Sequence, residues 1–484
     1  MLLLLPLQEL LKNLPFLVVL VLVGNHNGGA PLWALIGLGV TVAAGTLRWF
    51  TTGYRISPEQ VQVRRGLLRR RNLTVPRDRI RTVDLTAHVL HRVLGLASVN
   101  IGTGRSDRKD DRGLKLDGLR AGDAAWIRQE LLHRPLPASA EAGPAAPQVR
   151  ELARWRPSWV AYGPFTLSGA VTVLALVAFG AQVVNEAHLN LARLVPVQQV
   201  LGHAAATSLG VVVLALVVCC LVLISVGSTL GYILSFWHFQ LTQEAGTLQV
   251  TRGLLTTRVV SIDQSRLRGV ELSEPLLLRW VHGARCIAIA TGLRVGRGSE
   301  RGGSILLPPS PKALGESVAA AVSGSSSAVT CALREHGPTA RRRRYSRALL
   351  ATLPALLVLL ALWLAGVVPV WPSILGAAVV LLTVPLARDR YRNLGHTVIE
   401  ERLVVSYGSL VRRRSVLAAE GIIGWNLHQS FFQRRARVVT LVATTAAGRQ
   451  AYRMQDLTPD ETLAVAEAAL PGLLRPFIDA APGR

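Results

Sequence analysis

The sequence predicts a multi-domain protein in which α-helical transmembrane segments alternate with β structure. Three transmembrane helical hairpins are each followed by a small β-sandwich or barrel domain that ends in a helix. Three observations carry this expectation. Apolar runs near the ~20 residues that cross a bilayer come in pairs. Almost all positive charge falls in the long segments after each pair. Those segments also repeat one another.

Composition frames the problem. The chain has 484 residues, half of them hydrophobic, with 54 Lys+Arg against 29 Asp+Glu and a formal net charge of +25. A pI near 11.4 would suit a nucleic-acid-binding domain, but the mean hydropathy of +0.36 does not. Apolar spans alternating with basic, membrane-apposed segments account for both values. No nucleic-acid partner is expected. Cys219, Cys220, Cys286 and Cys331 form no CxxC and no zinc-like spacing with histidine.

The elements follow in chain order. Residues 1–49 hold the first hairpin: Leu10–Val23, extended at its start by the Leu-rich Met1–Leu7 and interrupted by Glu9 and Lys12, then Pro31–Leu47. No basic stretch precedes the first run, and no small-residue cleavage site follows it. It reads as a retained anchor. Residues 50–134 form the first β domain and 135–157 an Ala/Pro/Gly-rich linker. The second hairpin, 158–236, comprises Trp159–Val184 and Ser208–Phe236. The second domain covers 237–323, followed by a basic linker, 324–347. The third hairpin, 348–387, comprises Ala348–Val367 and Val370–Ala387. A third domain covers 388–475, with a tail at 476–484.

Charge orients the hairpins. Apart from Lys12 and Arg193, every Lys and Arg lies in the long segments after the hairpins. Basic residues are retained on the cytoplasmic side. About six spans are expected, with the domains and both termini cytoplasmic. Arg341–Arg344 directly precede the fifth span and read as an anchor of that kind.

The long segments align. Val61-Gln62-Val63-Arg64-Arg65-Gly66-Leu67-Leu68 matches Leu248-Gln249-Val250-Thr251-Arg252-Gly253-Leu254-Leu255 and, more loosely, Leu403-Val404-Val405-Ser406-Tyr407-Gly408-Ser409-Leu410. Thirteen positions after Gly66 and Gly253 stand Arg79 and Arg266, each followed two residues later by a second arginine, Arg81 and Arg268. The third repeat has Gly421 and Ile423 there. Period-two alternation such as Val61-x-Val63 predicts strands, with glycine at the turn. Further strands are expected at 71–75, 258–262 and 413–417, and at 98–101, 286–290 and 438–442. Helices should close each unit: 119–132 in the first, 313–322 in the second after Ser310-Pro311, and a third capped by Thr458 with Pro459 and Glu461. Each unit thus reads as about seven short strands plus one helix.

The junction Arg48-Trp49-Phe50-Thr51-Thr52-Gly53-Tyr54-Arg55-Ile56 is one of several motifs that resemble a known family. The others are the Arg-Gly-Leu-Leu turn, the Pro-x-x-Arg-Ile-Arg-x-Val strand, and His91-Arg92-Val93-Leu94-Gly95-Leu96. Together they resemble bacterial membrane proteins with pleckstrin-homology-like domains, the YdbT-like group with three such domains. The resemblance covers almost the whole chain. It implies a pleckstrin-homology-like fold, a bacterial plasma-membrane location and a smaller single-domain membrane partner. It implies no catalytic residues.

The candidate binding residues are arginines. Arg64, Arg65, Arg69, Arg70 and Arg71 fall on the first inter-strand turn, where such domains often hold phosphate. Arg79, Arg81, Arg266 and Arg268 follow in the repeated strand. Guanidinium forks match phosphate oxygens, and a basic residue near anionic lipid gains about 1 kcal/mol. The plainer reading is that these residues set topology and coat a membrane-facing surface. His91, His282 and His428 read as repeat-related polar positions near a turn, without a metal ligand set. Asp84, Asp263 and Glu271 are scattered, and no nucleotide loop or nucleophile motif is present. The expectation is a non-enzymatic scaffold without cofactor or metal, binding anionic lipid headgroups or partner membrane proteins at the cytoplasmic leaflet. The alternative is a component of a transporter or flippase. From Trp159 to Val184, Ser208 to Phe236 and Ala348 to Ala387 there is no Asp, Glu, Lys or Arg, which counts against an ion-coupled version of it.

Overall fold

The computed structural model describes residues 53–57, 59–65, 71–77, 80, 82–102, 114–132, 149–166, 209–244, 246–293 and 304–473, with residues 39, 178 and 182. The first hairpin, most of Trp159–Val184 and the tail lie outside these residues. The chain divides into two compact units, residues 1–263 and 264–484. The boundary therefore falls inside the second repeat.

The first unit opens with β1 (Gly53–Ile56), β2 (Gln60–Arg65) and β3 (Arg71–Pro76), an antiparallel sheet in that order. Alternation is realised in β2, where Val61 and Val63 are buried. Next come β4 (Thr82–Ala87), the short helix α1 (Val89–Val93), β5 (Leu96–Gly102), β6 (Leu114–Arg120) and helix α2 (Ala121–Leu132). Val61, Val63, Val75, Val99, Leu116 and Ile127 meet in the core of this first repeat. Helix α2 starts two residues after the expected Leu119. That residue belongs to β6, fully buried opposite Ala97 of β5.

The unit continues with β7 (Arg150–Arg154), a 3-10 helix over Pro157–Phe165, helix α3 (Leu209–Phe236), β8 (Gln240–Glu244), β9 (Thr247–Arg252) and β10 (Thr257–Asp263). Strand β7 falls in the segment whose composition reads as a linker. The start of the expected third span also differs. Trp159 is buried and stacks near Phe239, and Gly163 lies so close to α3 that a Cβ would come 2.9 Å from Thr229 Cα. These residues pack on protein, not lipid.

In the second unit, β11 (Leu267–Pro275), α4 (Leu276–Trp280), β12 (Gly283–Ala290), β13 (Ile305–Pro311) and α5 (Lys312–Ser323) finish the second repeat. Then come α6 (Ser326–Thr330), β14 (Arg334–Glu335), and the long apolar helices α7 (Gly337–Leu364) and α8 (Trp371–Arg392). The third repeat adds β15 (Gly395–Ile399), β16 (Arg402–Tyr407), β17 (Val411–Ala418), β18 (Gly424–His428), α9 (Phe431–Arg435), β19 (Val439–Thr444), β20 (Ala451–Leu457) and α10 (Pro459–Ala469). The expected capping box is present on α10: Glu461 N–H donates to Thr458 Oγ at 3.3 Å, and Thr458 N–H to Glu461 Oε2 at 3.1 Å.

Among the described residues, α3 (over Val217–Phe236), α7 and α8 are long and apolar enough to cross a membrane. Helices α7 and α8 pack together where Gly376 lets α8 approach Leu356 and Leu359. Ser373 Oγ donates to the Leu359 carbonyl at 3.2 Å.

The sheet topology departs from three self-contained domains. One seven-stranded sheet runs β6-β5-β4-β10-β9-β8-β7, and the other β13-β12-β11-β17-β16-β15-β14. In the first, β4 of repeat one pairs with β10 of repeat two, Asp84 opposite Val260. In the second, β11 of repeat two pairs with β17 of repeat three, Glu271 opposite Ser415. The aligned glycines, 253 and 408, show that these two registers are the same. Consecutive repeats are thus joined by main-chain hydrogen bonds, which local alternation cannot reveal. Gly253 and Gly408 have φ of 109° and 103°, and a Cβ on either would collide with a carbonyl oxygen across the turn. That is the physical reason for the repeated glycine.

Candidate functional site

The structure places the expected arginines in different surroundings. Arg64 is exposed on β2 opposite Asn72, and the register sets Arg65 opposite Arg71. Arg69, Arg70, Arg79 and Arg81 lie outside the described residues. In the second unit, Arg266 ends the short 3-10 turn before β11. Arg268 is engaged: its guanidinium reaches Glu420 at 2.9 Å, and its stem covers Gly421. A Cβ at 421 would sit 2.9 Å from Arg268 Cβ. Gly421 aligns with Arg79 and Arg266, so the third repeat loses that arginine where the second repeat's side chain needs room.

A basic collar surrounds the ends of α7 and α8 where their apolar stretches begin and finish. Arg341, Arg342 and Arg347 on α7, and Arg388, Arg390 and Arg392 on α8, are all exposed. Asp389 within this collar is held by Arg412 and by Arg279 at 3.3 Å. Arg343 and Arg344 behave differently from the anchor expected of 341–344. Both are buried around Asp456, a residue with no exposed surface and a left-handed φ of 61°. Arg343 Nε donates to Asp456 Oδ1 at 3.0 Å, and Arg344 Nη2 lies 3.3 Å from Oδ2. Gln433 Nε2 donates to the same Oδ1 at 2.9 Å, and Arg343 Nη1 to the Phe432 carbonyl at 2.7 Å. Removing two guanidinium groups from water is compensated only by such close pairing.

This latch fixes α9 against α7. Ser430 and Gln433 form a capping box that nucleates the short helix. Phe431 and Phe432 are left 69% and 68% exposed, beside exposed Arg434 and Arg435. Their level is set by Arg343, five residues before Ala348, or about 7.5 Å along a helix. Two bare phenylalanines flanked by arginines, beside the foot of an apolar helix, form an amphipathic tip suited to the headgroup–acyl boundary. Ser-Phe-Phe-Gln-Arg-Arg was the sequence signal for it. Nothing local linked it to α7.

The aligned short helices α1 and α4 are variations on this device. Their third residues, His91 and Leu278, are buried like Gln433. Each is followed by a left-handed residue at an equivalent place: Gly95, His282 and Arg437, with φ of 62°, 53° and 52°. This corrects the grouping of His91, His282 and His428. The first is core, the second occupies the turn, and the third ends β18. The arginine after the buried residue serves the joint between repeats. Arg92 Nη1 donates to the Leu254 carbonyl at 2.9 Å, and Arg279 Nη1 lies 3.5 Å from the Ser409 carbonyl, its aligned counterpart.

An acid lies within the influence of arginines at each of these joints. Burial pushes the Asp84 carboxyl up to about 6, opposed by nearby Arg258 and Arg252. At the aligned place, Glu271 meets Arg449 at 3.2 Å and Arg413 at 3.9 Å. These acids are structural partners of arginine. A buried histidine pair also escaped the sequence. His336 Nδ1 donates to the Gln455 carbonyl at 2.7 Å, so its Nε2 accepts from His396 Nδ1 at 2.9 Å. Burial lowers both, His396 to about 4 with His336 adding to the effect. Among the described residues, no cluster of three His, Cys, Asp or Glu could hold a metal.

Comparison with known proteins agrees with this architecture. The family model described as "Bacterial PH domain" matches residues 7–135, 192–322 and 348–471. A relative from Bacillus subtilis (strain 168), the UPF0699 transmembrane protein YdbT, is 23% identical over 317 residues, covering 62% of this chain and 62% of that protein. The match thus spans less than two thirds of the relative's length. No solved structure matches. Matching in three successive stretches that take in most of its length, the chain belongs to the bacterial PH domain family.

Proposed function

We propose that this protein is a membrane scaffold whose PH domains lie on the cytoplasmic leaflet and bind anionic headgroups there, offering docking sites to partner membrane proteins. Three hairpins would tether three domains near one surface, so each contact can be weak and still act. One observation carries the reading: the exposed arginine collar of α7 and α8 together with Phe431 and Phe432, which the buried Arg343–Asp456 latch holds at the foot of α7. Arginine supplies phosphate contacts, and the phenyl rings supply apolar insertion.

The test uses the full chain in lipid nanodiscs. Native mass spectrometry would count the phosphatidylglycerol retained by the parent and by an Arg388→Gln/Arg390→Gln/Arg392→Gln variant. At about 1 kcal/mol per basic residue, removing three should weaken attraction by about 3 kcal/mol. Equal retention by parent and variant would sink the headgroup reading. Inorganic phosphate as a competitor separates a lipid surface from a free anion. Hydrogen exchange at α9 should slow in anionic discs, and a Phe431→Ser/Phe432→Ser variant should lose that protection.

A further inference from the structure

Among the described residues, each unit contains one three-stranded sheet in addition to its seven-stranded one, and these two sheets have open edges of complementary kind. Strand β4 of repeat one pairs with β10 of repeat two, and β11 of repeat two with β17 of repeat three. By alignment, β18 is the third repeat's copy of β4 and β11. Likewise β3 is the first repeat's copy of β10 and β17. Among the described residues, β18 pairs only with β19, and β3 only with β2. The chain therefore ends its series of joints with a half-joint of each kind.

The exposure of aligned residues supports this. Leu272 on β11 is 4% exposed inside its joint, whereas the aligned Leu427 on β18 is 55% exposed. Val260 and Ser415, inside the joints, are 3% and 0% exposed. The aligned Leu73 on β3 is 41% exposed. Both open edges thus bare a leucine more fully than the occupied joints do, since Leu85 of β4, aligned with Leu427, is half-buried and Leu272 is buried. The open half-joint of repeat three also has the arginine that elsewhere reaches the next repeat's turn. Arg434 aligns with Arg92 and Arg279, and it is exposed. An unpaired, partly apolar edge is a template for strand addition.

We propose that β18 of one copy pairs antiparallel with β3 of a second copy, in the register of the two internal joints. The occupant is a second copy because this chain itself carries the one strand type that both internal joints accept, with its edge open. The register is then determined: Asn426 faces Leu73 as Asp84 faces Val260 and Glu271 faces Ser415. Leu427 faces Asn72, and His428 faces Arg71. Such a contact is heterologous, so it propagates the sheet-joined series from copy to copy as a ring or a row.

Disulfide trapping in full-length protein tests this. Directly opposed antiparallel residues have Cα atoms about 4.5–5.5 Å apart, within the span a disulfide bridges. Exposed Cys219 and Cys220 and half-buried Cys331 are first changed to Ser, and buried Cys286 is kept. A chain bearing Asn426→Cys is mixed in detergent with one bearing Leu73→Cys and oxidised. The expected result is a covalent dimer as the major oxidised product. A chain bearing Asn72→Cys, whose side chain points to the opposite face, should give at least tenfold less. Absence of the Asn426–Leu73 dimer overturns the proposal. So does a disulfide that forms only inside one chain carrying both substitutions, because the edges then close on themselves. Both positions are exposed, so neither cysteine disturbs a core.

Discussion

The buried pair His336–His396 gives the residue scale a pH signature. His336 must stay neutral for its Nε2 to accept from His396 Nδ1 while its own Nδ1 donates to the Gln455 carbonyl, and burial opposes a charge on either ring. Their folded values are depressed, His396 to about 4, from an ordinary value near 6.5. The unfolded chain therefore binds more protons between those limits, so stability declines as pH falls from about 6.5 toward 4. Glu461, Arg334, Arg344 and Asp456 are the charged groups that face the pair. Thermal unfolding of the full chain at pH 7.5 and pH 5 should show this loss, and His396→Gln should flatten it. An unchanged pH slope in the variant would refute the assignment. Sequence could not pair these histidines, because sixty residues separate them and neither sits in a motif.

Among elements, the decisive contact is the latch of α7 to the third β domain. Asp456 closes β20 in a left-handed conformation and accepts from both Arg343 and Gln433. Asp456→Asn keeps the shape and tolerates the same backbone, but it leaves two buried guanidinium groups without a counter-charge. Breaking a buried pair in that way costs about 3–5 kcal/mol. Denaturant unfolding in detergent should register a loss of that size, with faster hydrogen exchange across α9. Stability within 1 kcal/mol of the parent, on the scale of an exposed pair, would mean that the latch is not what holds α9. The elements themselves were largely readable. Strands 71–76, 257–263 and 411–418 lie where alternation and the repeated glycine place them, and α10 begins at its capping box. The arginine run 341–344 was legible as charge. Its division into two exposed and two buried residues was not, because Asp456 lies more than a hundred residues away.

At the scale of the whole molecule, the joints between repeats change what counts as a domain. A fragment ending after α2 would leave β4 with the open edge that β10 covers in the intact chain. It should self-associate or be cut rapidly by protease. A chain ending at Asp263 keeps β4 paired and should resist digestion across residues 82–120. Equal resistance of the two would mean that the first repeat closes without its neighbour. The same reasoning makes the full chain the proper object for lipid binding, since an isolated repeat presents a sticky edge that binds non-specifically.

The sequence by itself determined the class of protein, the triple repeat, the strands, the turn glycines and the apolar runs, because periodicity, charge segregation and turn chemistry are local and leave local marks. Only the tertiary structure decided which strand edges meet, which arginines are withdrawn from solvent, and where Phe431 and Phe432 stand relative to α7. Those outcomes depend on hydrogen bonds and ion pairs between residues far apart in the chain, as when Arg343 and Arg344 close on Asp456 or Arg268 takes the room that Gly421 leaves.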